Sequence, residues 1–455
     1  GGDAATHWVL LPQYREDVEV VSAALASVAR SRVARQRICV LLAMEGSEPE
    51  ARWKAEELQR RFAGQFLELR ATFHPAGLPN HPPGKASNVS WAFEVLRLGL
   101  AAAPGAAREE ATGGEAWAGG TDLDGTIVTV CDADSEFHPR YFEAVSAMFA
   151  GAGEADRHSR IWQAPMLHLK NYHSVPGLVA VGALFTSMAE LASLSDPNAV
   201  RLPYSTYSLS LTLARRVGGW DPEWIAEDYH MGLKCLLLSR AAISVEPVLL
   251  PTVSYMVEEE TWLGTLWARW VQAQRHALGF SDVTYFFRTL PLVLSHAASQ
   301  EPGHESMSRF WALVSQGLGV LIKLTNIHAL VGVLSTYGAI QSAMRTVMRL
   351  AFEEDRHLVF LFDSASFCTV LLAIAGLLFT AALSALFVCL YALVRDRLEG
   401  ATARHPLWHF CRVAALVFAC GPVYFLALAL CTWRAAALVL LRQPLEYQVA
   451  PKPPP

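Results

Sequence analysis

Four short motifs stand in order along the chain, and each has a chemistry of its own. Cys131-Asp132-Ala133-Asp134-Ser135 places two carboxylates at i and i+2. After a strand, such a pair turns both groups to one side, where a hard divalent cation can bridge them to a diphosphate. Asp-x-Asp alone is common. Asp122-Leu123-Asp124 is a second copy, but it precedes its strand and reads as a turn. Pro83-Gly84-Lys85-Ala86-Ser87-Asn88 opens a helical stretch. A helix start carrying Lys85 and Asn88 can hold a nucleotide diphosphate by charge and exposed N–H groups; a solvated lysine in a turn is the plainer alternative. Gly218-Gly219-Trp220-Asp221-Pro222 leads to Ala226-Glu227-Asp228-Tyr229-His230. Glu227 and Asp228 can supply a general base, or simply the acid that helix N-termini favour. Gln272-Ala273-Gln274-Arg275-His276 follows Trp262, Trp267 and Trp270. A cation beside aromatics suits a leaving diphosphate and a stacked sugar, and the same stretch suits an amphipathic helix at a membrane surface.

The elements around these motifs alternate. Strands are predicted at 8–11, 38–42, 66–73 and 127–131, and helices at 18–30, 50–62 and 86–98. That alternation implies a mainly parallel sheet covered on both faces by helices, an α/β fold. Ligands on such sheets bind beyond the carboxyl ends of the strands, where Asp132 and Asp134 fall. Residues 99–125 are rich in Ala and Gly and read as a low-complexity surface insertion without chemistry.

The C-terminal third changes character. Residues 364–394 and 413–433 carry no charged side chain, and about 20 apolar residues span a bilayer. A less clean run, 310–344, is interrupted by Lys323, Asn326 and His328; one span over 324–344 is expected. Overall, hydrophobic residues make up 53% and charged residues 17%. A soluble domain carries about 25% charge, so a wholly soluble chain is disfavoured. The net charge is −5. Residues 360–455 hold seven Lys/Arg against four Asp/Glu, so the acidic excess lies upstream. An acidic soluble part argues against nucleic acid as a partner. The eight Cys include no C-x-x-C, which fits neither zinc nor a disulfide framework and suits a reducing compartment. Arg395, Arg397, Arg404 and Arg412 outnumber Arg345, Arg349 and Arg356, which places the 395–412 loop in the cytosol. Three spans then put the large N-terminal domain there too. The chain opens on Gly1-Gly2-Asp3 without Met, as a processed or partial chain would.

The order G-K-x-x-N, D-x-D, E-D and Q-x-x-R, followed by membrane helices, resembles the family-two inverting glycosyltransferases of GT-A fold. It is similar to the membrane-embedded branch with cellulose, chitin and hyaluronan synthases and ceramide glucosyltransferase. Leu11-Pro12-Gln13-Tyr14-Arg15-Glu16-Asp17 also resembles the first strand and nucleotide loop of that fold. The resemblance implies a GT-A catalytic domain over 1–290, with interfacial helices at 260–290, and a transmembrane region over 305–455. It implies that Asp132 and Asp134 bind a sugar diphosphate and its Mg2+ or Mn2+. Asp228 would be the base, supported by Glu227. Lys85 and Asn88 would contact the nucleotide, and Arg275 with Gln272 would steady the leaving diphosphate. Two positions depart from the pattern. Glu45 stands where an Asp grips the base, and His276 replaces the Trp under the acceptor, a role left to Trp267 or Trp270. The implied donor is a nucleotide-diphosphate sugar, usually of uridine diphosphate, and the acceptor is a glycan or a lipid. Polysaccharide synthesis is the first expectation and single-step glycosylation of a membrane lipid the second. A non-catalytic scaffold or transporter is the third. The expected setting is a multi-pass protein of the plasma, Golgi or ER membrane.

Overall fold

The computed structural model describes residues 5–100, 123–172, 174–198, 200–239, 243–299, 304–351, 356–399 and 406–443. Most of the low-complexity stretch expected at 99–125 lies outside them. Four strands form the parallel half of a sheet: β1 (Thr6–Gln13), β2 (Ile38–Glu45), β3 (Glu68–His74) and β4 (Thr126–Val130). Successive strand residues point to opposite faces, and here the two faces feed two cores. Val9, Leu11, Val40 and Leu42 pack against Val21 and Leu25 of α1 (Val18–Ala29) and Leu58 of α2 (Ala51–Arg61). Trp8, Leu10, Leu41 and Val128 pack against Val89, Phe93 and Leu96 of α3 (Lys85–Leu100). Burial on both faces explains why these strands read as continuous apolar runs rather than alternating ones.

Beyond β4 come α4 (Tyr141–Gly151), β5 (Arg160–Gln163), β6 (Met166–Leu167), α5 (Gly177–Ser195), β7 (Tyr207–Ser210), α6 (Leu211–Arg216), α7 (Glu227–Leu238), β8 (Ser244–Pro247) and β9 (Thr252–Val253). The main sheet has the order β3-β2-β1-β4-β7-β5-β8, and β6 pairs with β9 separately. β7 runs antiparallel to both β4 and β5. The sheet is therefore mixed, with the parallel half carrying the strand ends that face the site.

Four helices among the described residues are long and apolar enough to cross a membrane: Gly177–Ser195, Phe310–His328, Val370–Ala392 and Leu407–Leu440. The first is α5, which lies between β5 and β7 in sequence. Those strands hydrogen-bond to each other, so a single crossing at α5 would put paired strands on opposite sides of the bilayer. Its apolar character has another cause. Val179, Ala180, Val181 and Leu184 pack on Ala381, Ala385, Val413 and Val417 of the C-terminal helices. Small residues let the backbones approach: a Cβ on Gly182 would lie 2.7 Å from the Tyr424 ring, and one on Gly177 2.4 Å from Leu416.

After β9 come the long helices α8 (Trp262–Ala277), α9 (Ser281–Ala298), α10 (His304–Thr325), a π-turn (Asn326–Leu330), α11 (Val331–Ala351), α12 (Arg356–Glu399) and α13 (Pro406–Leu440). The expected boundary at 290 falls inside α9, because Pro291 is carried within that helix. The apolar window falls at Phe310–His328 against the expected 324–344, whose later residues include the polar Ser335, Thr336 and Gln341. The loop expected over 395–412 is mostly helix: α12 runs to Glu399 and α13 begins at Pro406. Trp262, Leu263 and Trp267 are exposed on α8, as an interfacial helix requires.

Candidate active site

A cavity of ≈ 330 Å³ lies beyond the carboxyl ends of β1 and β4. Gln13 and Tyr14 enter it after β1, and Asp132 and Asp134 after β4. The start of α7 supplies Glu227 and Asp228, and the last turns of α8 supply Gln272, Arg275 and His276. Leu324, Ile327 and His328, at and beside the π-turn, also line the cavity. Segments separate in sequence thus converge where the alternation of elements places a ligand.

Lys85 is the hub. Its Nζ lies 2.8 Å from Asp132 Oδ1 and 2.8 Å from Glu227 Oε1, and donates to the Ser205 carbonyl at 3.0 Å. Burial works against its charge, but Asp132, Glu227 and Asp228 outweigh burial and hold the ammonium well above the usual lysine range. Glu227 is 4% exposed. Burial pushes its carboxyl up, Lys85 pulls it partly back, and Asp228 adds to the rise, leaving it at about 8.

Asp228 is gripped on both sides. Its Oδ2 accepts the Ser205 N–H at 2.6 Å and its Oδ1 the Tyr229 N–H at 2.8 Å. Ser205 holds φ +49°, a left-handed conformation that costs a side-chain-bearing residue of the order of 1–2 kcal/mol. That peptide serves two groups at once: its N–H meets Asp228 and its C=O meets Lys85. Behind it, His230 bonds Asp282 at 2.7 Å and Asp221 at 2.9 Å and stacks on Trp224 with centroids 4.0 Å apart. The two carboxylates overcome burial and raise the imidazole above its ordinary value. Lys234 donates to the other oxygen of Asp221 at 2.8 Å. The Gly218-Gly219 turn that delivers Asp221 takes φ +81° and +75°, and a Cβ on Gly219 would sit 2.5 Å from Phe93.

Asp134 is 3% exposed, and its Oδ2 accepts the Tyr255 N–H at 3.0 Å. The Asp132 side chain is more open, at 28%. Among the described residues no group of three or more His, Cys, Asp or Glu gathers as a metal cluster. Two carboxylate side chains are a donor set that fits a hard cation only if a substrate diphosphate supplies further oxygens.

Of the residues singled out in the sequence, Lys85, Asn88, Asp132, Asp134, Glu227, Asp228, Gln272, Arg275 and His276 all line this cavity. Asn88 reaches it from behind: it is 1% exposed, and its Nδ2 donates to the Gln13 carbonyl at 3.2 Å, fixing the end of β1. Glu45 lies outside the wall. It is buried beside His74 Nδ1 at 3.4 Å and accepts from Ser47 Oγ at 3.0 Å, because β1 separates β2 from β4 in the sheet. Trp270 is also outside. It packs against Ala277, Leu278 and Cys431. Two residues are more than half a turn of a 3.6-residue helix, so Trp270 faces away from Gln272. Trp267 is 66% exposed, and no tryptophan is among the described residues that line the cavity.

Three lining groups had no sequence signal. Ser205 lies in no motif. His168 joins its Nδ1 to Ser254 Oγ at 2.6 Å. Glu190, on α5, has Oε2 sealed from solvent with no hydrogen-bond partner among the described residues. His168 Nε2 stands 3.9 Å from it. Burial, then the nearby Asp228 and Asp132, push the Glu190 carboxyl well above the usual range.

The sequence model described as Glycosyl transferase family group 2 matches residues 127–440. No curated protein matches the chain. Among solved structures, the chain is similar to the mannosyltransferase PcManGT from Pyrobaculum calidifontis in complex with GDP-Man and Mn2+. That match has 13% identity and a TM-score of 0.38, covering 79% of this chain and 84% of that one. It is also similar to S. aureus TarS 1-349 in complex with UDP-GlcNAc, at 11% identity and a TM-score of 0.36, over 76% and 81% of the two chains. A third is the glucosyl-3-phosphoglycerate synthase from Mycobacterium tuberculosis with Mn2+, UDP and glucosyl-3-phosphoglycerate. It has 17% identity and a TM-score of 0.28, over 58% and 80%.

Proposed function

The chain belongs to glycosyl transferase family group 2, and on that premise we propose that the cavity passes a sugar from a nucleotide diphosphate to an acceptor hydroxyl with inversion. The protein is a glycosyltransferase with a GT-A-like α/β catalytic domain followed by long apolar helices. The observation that carries the finer reading is Asp228. Each of its oxygens is fixed by a backbone N–H, and each keeps a second lone pair for an incoming hydroxyl.

The roles follow from position. Lys85, on the first turn of α3, offers charge to a diphosphate at the strand ends. Asp132 and Asp134 would hold a divalent cation, which when bound offsets the charge on the leaving diphosphate. Arg275, on the same wall, meets that charge from α8. Asp228 takes the proton of the acceptor hydroxyl as its oxygen attacks the anomeric carbon opposite the diphosphate. Glu227, 2.8 Å from Lys85 Nζ, shares that cation with Asp132 and so ties the start of α7 to the strand ends. A non-catalytic scaffold would have no need to bring Asp132, Asp134 and Asp228 into one cavity.

The membrane arrangement that fits the paired β5 and β7 has three crossings, at Phe310–His328, Val370–Ala392 and Leu407–Leu440. It keeps the catalytic domain and the α12–α13 connection on one side, the cytosolic one by the arginine bias, in a plasma, Golgi or ER membrane. A panel of UDP- and GDP-sugars tested on the full chain in lipid nanodiscs, with Mg2+ or Mn2+ present, measures donor affinity and transfer. Binding of one donor that is lost with chelator supports the reading. No binding by any donor overturns it.

A further inference from the structure

The cavity lining has two parts of different character. One holds Lys85, Asp132, Asp134 and Asp228. The other is made by Glu190 and Thr186 of α5 and by Leu324, Ile327 and His328. Those last three belong to the helix window that is apolar enough to cross a membrane. There the helix leaves α-geometry for the π-turn Asn326–Leu330, a departure concentrated at functional sites. His328 packs on Gly279, which also meets Ala226, the residue before Glu227. The membrane segment therefore abuts the start of the helix that carries Asp228. Lys323 Nζ donates to Ser193 Oγ at 2.5 Å, pinning this segment to α5 one turn from Glu190.

Resting on the transferase reading, we propose that the acceptor is a membrane amphiphile, its hydroxylated head between Asp228 and Glu190 and its apolar part against Leu324 and Ile327. A buried carboxyl oxygen without a partner is unfavourable, and among the described residues Glu190 Oε2 is one. The Glu190 side chain as a whole is 15% exposed, so the open side of its carboxyl can meet a sugar or polyol hydroxyl in the cavity, with His168 alongside. The apolar wall contributes nothing to a water-soluble glycan, and a growing polymer would want an aromatic platform. His276 stands where that tryptophan was expected, and Trp267 and Trp270 point elsewhere. Glu190 is here a positioning residue, since Asp228 takes the proton.

The test uses the full chain reconstituted in vesicles of the host's total lipid extract, with radiolabelled nucleotide sugar. The expected result is label in the organic-solvent phase as a single-sugar product. Ile327→Trp, which crowds the apolar part of the lining, should cut that product at least about tenfold while nucleotide affinity by calorimetry stays within about twofold. Ile327→Phe is the gentler variant if the tryptophan destabilises the fold. Glu190→Leu should raise the acceptor KM at unchanged donor KM, and Glu190→Gln should restore it. Label in a water-soluble or polymeric product, or transfer indifferent to both Ile327 variants, overturns the inference. Failure of the wild-type chain to bind any nucleotide sugar overturns the transferase reading itself, and the two failures are therefore distinct.

Discussion

Replacing Asp228 by Asn removes one proton acceptor and leaves the shape nearly unchanged. The present carboxylate receives N–H groups at 2.6 Å and 2.8 Å, one on each oxygen. An amide has one oxygen, so one of the two N–H groups must face an NH2. Leaving that donor unsatisfied costs about 1–3 kcal/mol, and a domain this size loses about 2–4 °C of Tm per kcal/mol. The variant should stay folded and melt a few degrees early. Loss of general-base assistance should slow transfer by about 10²–10⁴-fold. Donor affinity should change little, because Asp228 serves the acceptor. Single-turnover transfer with saturating donor, beside calorimetric donor binding, reads the two effects separately. Near-normal transfer would refute the base assignment. Equal losses in donor affinity and rate would put Asp228 on the donor instead.

Four further outcomes are expected. Ser205→Gly keeps the N–H and suits φ +49°, so single-turnover transfer should stay near wild type. Glu227 titrates at about 8 against roughly 4.3 in an unfolded chain, so the folded state holds a proton that the unfolded state has lost across that window. Stability should therefore fall as pH rises through it and level off above about 8; denaturant titration at several pH values should show the slope in wild type and its absence in Glu227→Gln. Asp134→Ala should abolish metal-dependent donor binding in calorimetry, and unchanged affinity in the presence of chelator would refute its role. Gly182→Leu forces atoms into the Tyr424 ring and should cost about 1–3 kcal/mol, seen as a lower Tm in nanodiscs.

The parallel half of the sheet was legible because β1, β2 and β4 are buried on both faces, and continuous apolar runs ended by Pro12 or Asp132 leave little choice. The same logic located the Asp132, Lys85 and Asp228 motifs, which sit at strand ends or helix starts. What lay beyond the sequence is what depends on pairing at a distance. β5, β7 and β8 are four residues each, too short to announce themselves, and β7 reverses direction inside the sheet. Glu45 looked suitable by its place after β2, yet the strand order moves it away from the cavity. Trp270 shared a helix with Arg275, but its helical phase turns it toward α13. Glu190 and His168 become neighbours only once α5 folds back over β6 and β9.

The docking of α5 on α12 and α13 also sets an order of assembly. The chain is made from its N-terminus, so the sheet and α5 leave the ribosome long before Leu416 and Tyr424, which α5 must touch. At about 5–20 residues per second that wait is on the order of tens of seconds. Throughout it, Val179, Val181 and Leu184 lack the membrane-helix side chains that later cover them. The catalytic domain therefore completes its own surface only when the last helix is in place. A polypeptide cut before residue 356 would keep every catalytic motif and still expose that apolar face, so it should associate or require detergent. For this chain the C-terminal helices are part of the enzyme's packing as well as its anchor.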